Sequence, residues 1–514
     1  MPKGADAMKR KRNLALCVLS ALIVMLVVAQ PAFAGDKWRF GFGANRKLTD
    51  YPDWPTLGAS WFHIWGPYPS YNVSGLTFFP MVAAYGDLMG TETLESLQQQ
   101  YNWKPQYYPP GTVWIISNEL EYDTFCTKNG APLNPCRGIT PTEYAEKFKK
   151  YYDIIRQLQP YGSTYKFAIG FINAIAEPGR PFTLADVLDA YKARWGVDMP
   201  VDMFNLHVYG FGRDIDFDYV FVPTITTYRQ VMANKGYRDK PLMITEVGVL
   251  EGVYVSNIPQ EYVLNFMVRA FDWLRTARSD TTGMPSDNNR LVQRWAWFAL
   301  TSWHPSDNYK WRKTALFDID TKQITAVGEQ YRAYLQGLTH TITTAVQPGW
   351  NLLSVPVELS SYAITDVLSS LAGSYDLAYT YDAQADSWRV YDVSAPPGAN
   401  TLTNLNPGDG LWVRVTAPDS WIVSGEEQSI SNIALYEGWN LIAYPLTTAK
   451  PIAEALASIA GKYTAVYAYD PTRPDPWQKY VPGAPTWASD LTEMTPGRGY
   501  WVKVTQNCTA VFTE

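Results

Sequence analysis

Two stretches decide the fold: Val113-Trp114-Ile115-Ile116-Ser117-Asn118-Glu119 and Pro241-Leu242-Met243-Ile244-Thr245-Glu246. Each is a short apolar run that stops on a polar pair ending in glutamate. Runs of this length without polar alternation suit strands buried on both faces, the condition of a parallel sheet. Working outward, six more such runs lie at 39–44, 60–65, 76–83, 166–172, 201–207 and 294–300. Helix-spaced apolar residues fill 142–158, 261–277 and 326–335, the first behind a Thr140-Pro141 start. Strands and helices alternating over about 265 residues predict an α/β fold, a (β/α)8 TIM barrel spanning 35–340. An open doubly wound sheet is the alternative.

The chain has 514 residues, 18% charged and 15% aromatic, with a formal net charge of −6. That length calls for two or three cores. Residues 1–34 have the layout of a signal peptide. Lys9, Arg10, Lys11 and Arg12 precede the apolar stretch 14–28, and Ala32-Phe33-Ala34 offers a small-x-small cleavage site. A membrane anchor is the alternative, but the apolar run is short for a span. Cleavage would leave a secreted, extracellular chain more acidic than the precursor, a poor partner for nucleic acid. In an oxidising compartment, Cys126 and Cys136, bracketing a short Gly/Pro/Asn-containing loop, are expected to form a disulfide; two free thiols are the alternative. No Cys/His spacing resembles a zinc site, so neither metal nor organic cofactor is expected.

Past residue 340 the pattern changes. Gly349-Trp350-Asn351-Leu352 recurs as Gly438-Trp439-Asn440-Leu441, Trp388 as Trp477, and Pro407-Gly408 through Trp412 as Pro496-Gly497 through Trp501. The common spacing predicts two copies of a small β-rich module, 345–430 and 431–514, each with one helical stretch, at 364–371 and 452–459.

The functional groups of a barrel collect where strands end and βα loops begin, which singles out Glu119 and Glu246. Two carboxyls are what glycosidic cleavage needs, one to protonate the leaving oxygen and one to attack or to activate water. Glu121 and Glu251 lie near enough in sequence to be alternatives. Asn118-Glu119 ending strand four and Glu246 ending strand seven resemble clan A of the glycoside hydrolases, the retaining barrel enzymes. The resemblance covers about 300 residues and implies that Glu119 is the acid/base and Glu246 the nucleophile. It also implies that Asn118 touches the sugar 2-hydroxyl, that His207-Val208-Tyr209 is the strand-six motif with Tyr209 bonded to the nucleophile, and that Trp297 or Trp295 floors a sugar subsite. The strand-two arginine of some clan families has no match in Ser60-Trp61-Phe62-His63-Ile64-Trp65.

The expected function is retaining hydrolysis of a polysaccharide or oligosaccharide. Trp65, Tyr68, Tyr71, Trp103, Tyr107, Tyr108, Trp303 and Trp311 supply stacking faces in a cleft. The nearby Glu246 anion is expected to raise the pKa of Glu119. The rival is a non-catalytic carbohydrate-binding or cell-surface protein with a lapsed site. The modules are either a spacer or a carbohydrate or cell-surface contact.

Overall fold

The eight apolar runs all become extended and pair in parallel. In a computed structural model, residues 36–513 are described apart from 69–72, 84–86, 91, 101–106, 121–124, 130, 175–181, 252–254, 303–311, 360, 397, 428–429 and 486–487. The expected leader, residues 1–34, lies outside the described residues. The strands are β1 (Phe40–Gly43), β2 (Trp61–His63), β3 (Thr77–Phe79), β4 (Met81–Val82) and β5 (Val113–Ile116), then a hairpin of β6 (Phe125–Lys128) and β7 (Ala131–Arg137), then β8 (Lys166–Ile169), β9 (Phe204–Gly210), β10 (Leu242–Val249) and β11 (Arg294–Trp297). One parallel sheet has the order β3-β2-β1-β11-β10-β9 and a second β4-β5-β8. Pro80 divides β3 from β4: it has no N–H to give a ladder, though its carbonyl still accepts from Ile115 N at 2.8 Å. On the other side, Ala168 of β8 bridges in parallel to Met203, just ahead of β9. The strand order therefore runs in a cycle.

Strand periodicity sorts the side chains. Trp61, Phe79, Met81, Val113, Ile115, Ala168, Met243 and Ala296 form one cluster inside the cycle. Their neighbours Phe62, Phe78, Trp114, Phe167, Leu206, Ile244, Trp295 and Trp297 join the larger cluster under the helices. The helix Pro141–Arg156 begins as expected: Thr140 Oγ1 accepts from Glu143 N, and the Glu143 carboxylate accepts from Thr140 N. Lys128 and Arg137 of the β6–β7 hairpin also hold Glu143, at 2.7 and 2.5 Å. The Cys126–Cys136 disulfide closes that hairpin. Among the described residues no helix is long and apolar enough to cross a membrane.

The core under the helices ends at Leu338, and two further cores follow. The first belongs to β12 (Thr339–Val346), β13 (Gly349–Ser354), β14 (Tyr375–Asp382), β15 (Ser387–Asp392), β16 (Gly410–Val415) and β17 (Asp419–Glu426). The second belongs to β18 (Ile430–Leu435), β19 (Gly438–Ala443), β20 (Lys450–Pro451), β21 (Tyr463–Tyr469), β22 (Trp477–Tyr480), β23 (Glu493–Met494), β24 (Gly499–Val504) and β25 (Cys508–Thr513). The four-stranded sheets β13-β16-β14-β15 and β19-β24-β21-β22 share one topology, and β12–β17 is matched by β18–β25. The stretches expected as helices are single turns, Ile364–Val367 and Ile452–Ala455, each followed by a 3-10 turn.

The repeated motif has a physical reading. Gly349 and Gly438 sit at φ 98° and 102°, where a side chain is strained. Asn351 and Asn440 close that turn: each accepts from the backbone N–H four residues back and donates to that residue's carbonyl at 2.7 Å. Trp350 and Trp439 point outward. The two sheets meet reciprocally. Ser354 N donates to Gly497 O at 3.0 Å, and Ala443 N donates to Gly408 O at 2.8 Å. A Cβ on Gly499 would lie 2.7 Å from Leu353 O, and one on Gly410 would lie 2.8 Å from Ile442 O.

Candidate active site

Position 245 sets the geometry. The pairing of β10 with β9 shifts register between Ile244 and Glu246, and its pairing with β11 shifts between Ile244 and Val247. Such a bulge re-aims side chains, and here it turns both Thr245 and Glu246 inward. On β9, Asn205, His207 and Tyr209 share one parity and meet them. On β2, so do His63 and, just beyond the strand, Trp65. Gly43 leaves room for the last two, since a Cβ there would lie 2.9 Å from Trp65 and 3.2 Å from His63 Nε2.

Glu246 is buried, and both its oxygens accept hydrogen bonds. Trp65 Nε1 donates to Oε1 at 3.0 Å, and the Tyr209 hydroxyl donates to Oε2. Burial pushes its carboxyl above the ordinary value. The His207 charge and the Tyr209 and Trp65 donors pull the other way, while the Glu119 charge adds to the rise. The burial penalty falls on Glu246. Side-chain exposure is 7% for Glu246 and 33% for Glu119, so Glu119 is the carboxyl that reaches toward the opening.

Proton positions around His207 follow from its partners. Asn205 Oδ1 accepts from Thr245 N at 3.1 Å and from the Thr245 hydroxyl at 2.8 Å. With its hydrogen committed, Thr245 Oγ1 accepts from His207 Nε2–H at 2.9 Å. His207 Nδ1 then lies 2.6 Å from Glu119 Oε1, and two bare acceptors cannot hold that distance. One proton is therefore shared by the pair, as imidazolium with carboxylate or imidazole with carboxylic acid. Phe171 stacks on the His207 ring at 4.8 Å and fixes its plane. His63 lies deeper, donating through Nε2 to Thr245 O at 2.8 Å; burial pushes its imidazole down to about 3, so it is neutral.

One oxygen of Glu119, one of Glu246 and a His207 nitrogen all lie within 4.8 Å of one another. Among the described residues this is the group able to take a metal, though an ion on His207 Nδ1 would displace the proton shared with Glu119. With two inward carboxyls this close, the sequence family is decisive. Residues 44–331, more than half the chain, match the family described as Glycosyl hydrolase catalytic core. The chain belongs to this family.

No curated protein matches this glycosyl hydrolase. Among solved structures it is similar to a GH128 (subgroup II) endo-β-1,3-glucanase from Sorangium cellulosum, at 18% identity and TM-score 0.39, over 57% of this chain and 98% of that one. It is similar also to a GH128 (subgroup III) curdlan-specific exo-β-1,3-glucanase from Blastomyces gilchristii, at 17% identity and TM-score 0.38, over 58% and 99%. A GH128 (subgroup I) endo-β-1,3-glucanase from Amycolatopsis mediterranei, in complex with laminaritriose, gives 18%, 0.37, 58% and 99%. At these values nothing about substrate transfers to this chain.

Glu119, Glu246, His207 and Tyr209 thus converge. Asn118 is buried beside them, and its Oδ1 has no partner among the described residues. Trp297 does not join them. It is wholly buried under the helices against Phe271, with Nε1 donating to Thr314 O at 2.7 Å, and Trp295 shares that core. Both have the outward parity of their strand. The inward parity falls on Phe298, whose ring meets Trp65 and Tyr209 edge-on at 5.6 and 6.0 Å. Trp65 is a hydrogen-bond donor to Glu246 as well as an aromatic wall. Tyr108 is core, donating to Pro67 O. Glu251 is a buried acceptor for Ile258 N at 2.9 Å. Glu121, Tyr71, Trp103, Trp303 and Trp311 lie outside the described residues. Sequence parity from Trp61 through His63 to Trp65 would have found the missed donor.

Proposed function

We propose that this chain is a secreted retaining glycosidase acting on a polysaccharide or oligosaccharide, with Glu246 as nucleophile and Glu119 as acid/base. The cyclic strand order is read as a (β/α)8 barrel over 35–340, followed by modules at 345–430 and 431–514. The observation that carries the mechanism is the approach of the two carboxyls, one oxygen of each within 4.8 Å of the other. Inverting pairs stand ~6.5–9.5 Å apart to admit a water, whereas retaining pairs stand ~5–5.5 Å apart. The same approach counts against a lapsed, non-catalytic site.

In this reading Glu246, ionised and aimed by Tyr209 and Trp65, attacks the anomeric carbon while Glu119 protonates the leaving oxygen. His207 holds Glu119 and shares its proton. Glu119 then takes a proton from the water that releases the glycosyl-enzyme. Asn118 Oδ1, which has no donor among the described residues, would accept a sugar hydroxyl. A cleft that holds several sugar units would favour internal cleavage.

The test is NMR of the first-formed product on a panel of β-glucans, mannans, xylans and galactans. Initial release of the retained anomer supports the reading. Initial release of the inverted anomer refutes it, even with both glutamates essential.

A further inference from the structure

The outer faces of the two C-terminal sheets carry the same aromatic set in the same geometry. On β13, β14, β15 and β16 it is Trp350, Tyr379, Trp388 and Trp412. On β19, β21, β22 and β24 it is Trp439, Tyr467, Trp477 and Trp501. Trp350 meets Tyr379 at 5.7 Å and Trp412 at 6.3 Å, and Tyr379 meets Trp388 at 6.2 Å. The second copy repeats these contacts at 5.6, 6.3 and 6.3 Å. Each set is completed across the seam by a tyrosine of the other copy. Tyr381 meets Trp501 at 5.4 Å, and Tyr469 meets Trp412 at 5.0 Å. In the second set Tyr381, Trp439, Tyr467, Trp477 and Trp501 line a cleft of about 570 Å³.

The chemistry of these walls selects a ligand. Trp350, Trp388, Trp439 and Trp477 stay exposed, and their indole N–H groups donate to no described residue. They offer apolar faces rimmed with donors, which complement a sugar ring with its C–H faces and hydroxyl edge. A cationic ligand is disfavoured, because a cation already stands over the same ring in each copy. Arg414 is 5.9 Å from the Trp350 centroid, and Lys503 is 5.6 Å from that of Trp439. We propose that the two sheets carry a pair of equivalent glycan-binding sites, each built from both copies, that hold the polysaccharide the barrel acts on. The choice of glycan rests on the glycosidase reading; the existence and pairing of the sites do not. Two tethered sites on one polymer give avidity beyond either alone.

The experiment uses the full chain carrying Glu246→Gln, so that binding is read without turnover. It is mixed with insoluble β-glucan, mannan, xylan and galactan, and titrated with their hexasaccharides while indole fluorescence is followed. One polysaccharide should deplete the protein, and its hexasaccharide should shift the emission of the exposed indoles. Trp388→Ala and Trp477→Ala, on side chains 50% and 42% exposed, should each weaken binding by about threefold to tenfold. The double variant should lose roughly a hundredfold on the polymer. Trp388→Phe and Trp477→Phe, which keep a ring and lose the N–H, serve if the alanine variants melt early, and should show intermediate losses. Hydrolysis of a short aryl glycoside, measured with Glu246 restored, should be unchanged by any of them. Full polymer affinity in the double variant overturns the proposal, as does binding of a proline-rich decapeptide or tetramethylammonium but of no glycan. Binding that persists in a chain shown not to hydrolyse glycosides would sink the catalytic reading and leave this one standing.

Discussion

Tyr209→Phe removes one oxygen from the site and leaves its ring against Phe298. The lost bond is to a carboxylate, and bonds to charged groups contribute about 1.5–3 kcal/mol. Losing it raises the Glu246 carboxyl further, because the donor favours the anion. Trp65 still donates to Oε1 at 3.0 Å, and water can enter at the half-buried position 209, so the lower end is expected. The sign follows from the anion being the attacking form. Burial already holds the folded pKa above its ordinary value, and losing a donor moves it higher. The acid limb of the pH profile of kcat/KM should therefore move up, read as about a tenfold loss at a fixed pH on that limb, the rate equivalent of about 1.5 kcal/mol, and a smaller loss on the plateau. The assay is kcat/KM across pH on the substrate the panel identifies, with a thermal melt to show the fold unchanged. An acid limb that stays in place or moves down would refute the role given to Tyr209 and to the Glu246 anion.

Other outcomes follow from the same site. Glu119→Gln should retain rapid first-step release from aryl glycosides with very good leaving groups while losing at least ~100-fold on the natural polymer, the usual worth of a general acid; equal losses on both would contradict its role as proton donor. Prolonged treatment with EDTA should leave kcat/KM unchanged, and a loss restored by one divalent metal would reassign Glu119, His207 and Glu246 as its ligands. Cys126→Ser with Cys136→Ser should lower stability by up to roughly 3 kcal/mol, the chain-entropy value for so short a loop; an unchanged melting temperature would show that the ion pairs on Glu143 hold the hairpin unaided.

How far the sequence could be read depended on whether the signal was local. All eight strands were legible because each is a dense apolar run, most of them separated by helical stretches. Glu119 and Glu246 were legible because each terminates such a run. The capping box at Thr140 and the copies of Gly-Trp-Asn-Leu were equally local. Trp297 was misplaced because identity outweighed parity: Ala296 faces inward, so its tryptophan neighbours face the helices and Phe298 takes the inner position. The bulge at Thr245 has no marker in composition. The partnership of Trp65 with Glu246 joins residues 181 positions apart, and it waits on the strand order.

The reciprocal seam between the two C-terminal sheets has the form of an isologous dimer interface written into one polypeptide. Its central backbone bonds and aromatic contacts occur twice with the partners exchanged, as in a two-fold homodimer. The connection near residue 430 replaces a bimolecular encounter by an intramolecular one, so the interface persists at dilutions where a free pair would separate. Neither half is complete alone: a chain stopped at residue 430 bares Gly408, Gly410, Leu352 and Trp412 with nothing to cover them, and sedimentation should find it dimerised through that face. The same logic exposes the intact protein to exchange. At high concentration, one molecule's second copy can close on another's first, giving swapped oligomers that use only contacts the monomer already makes.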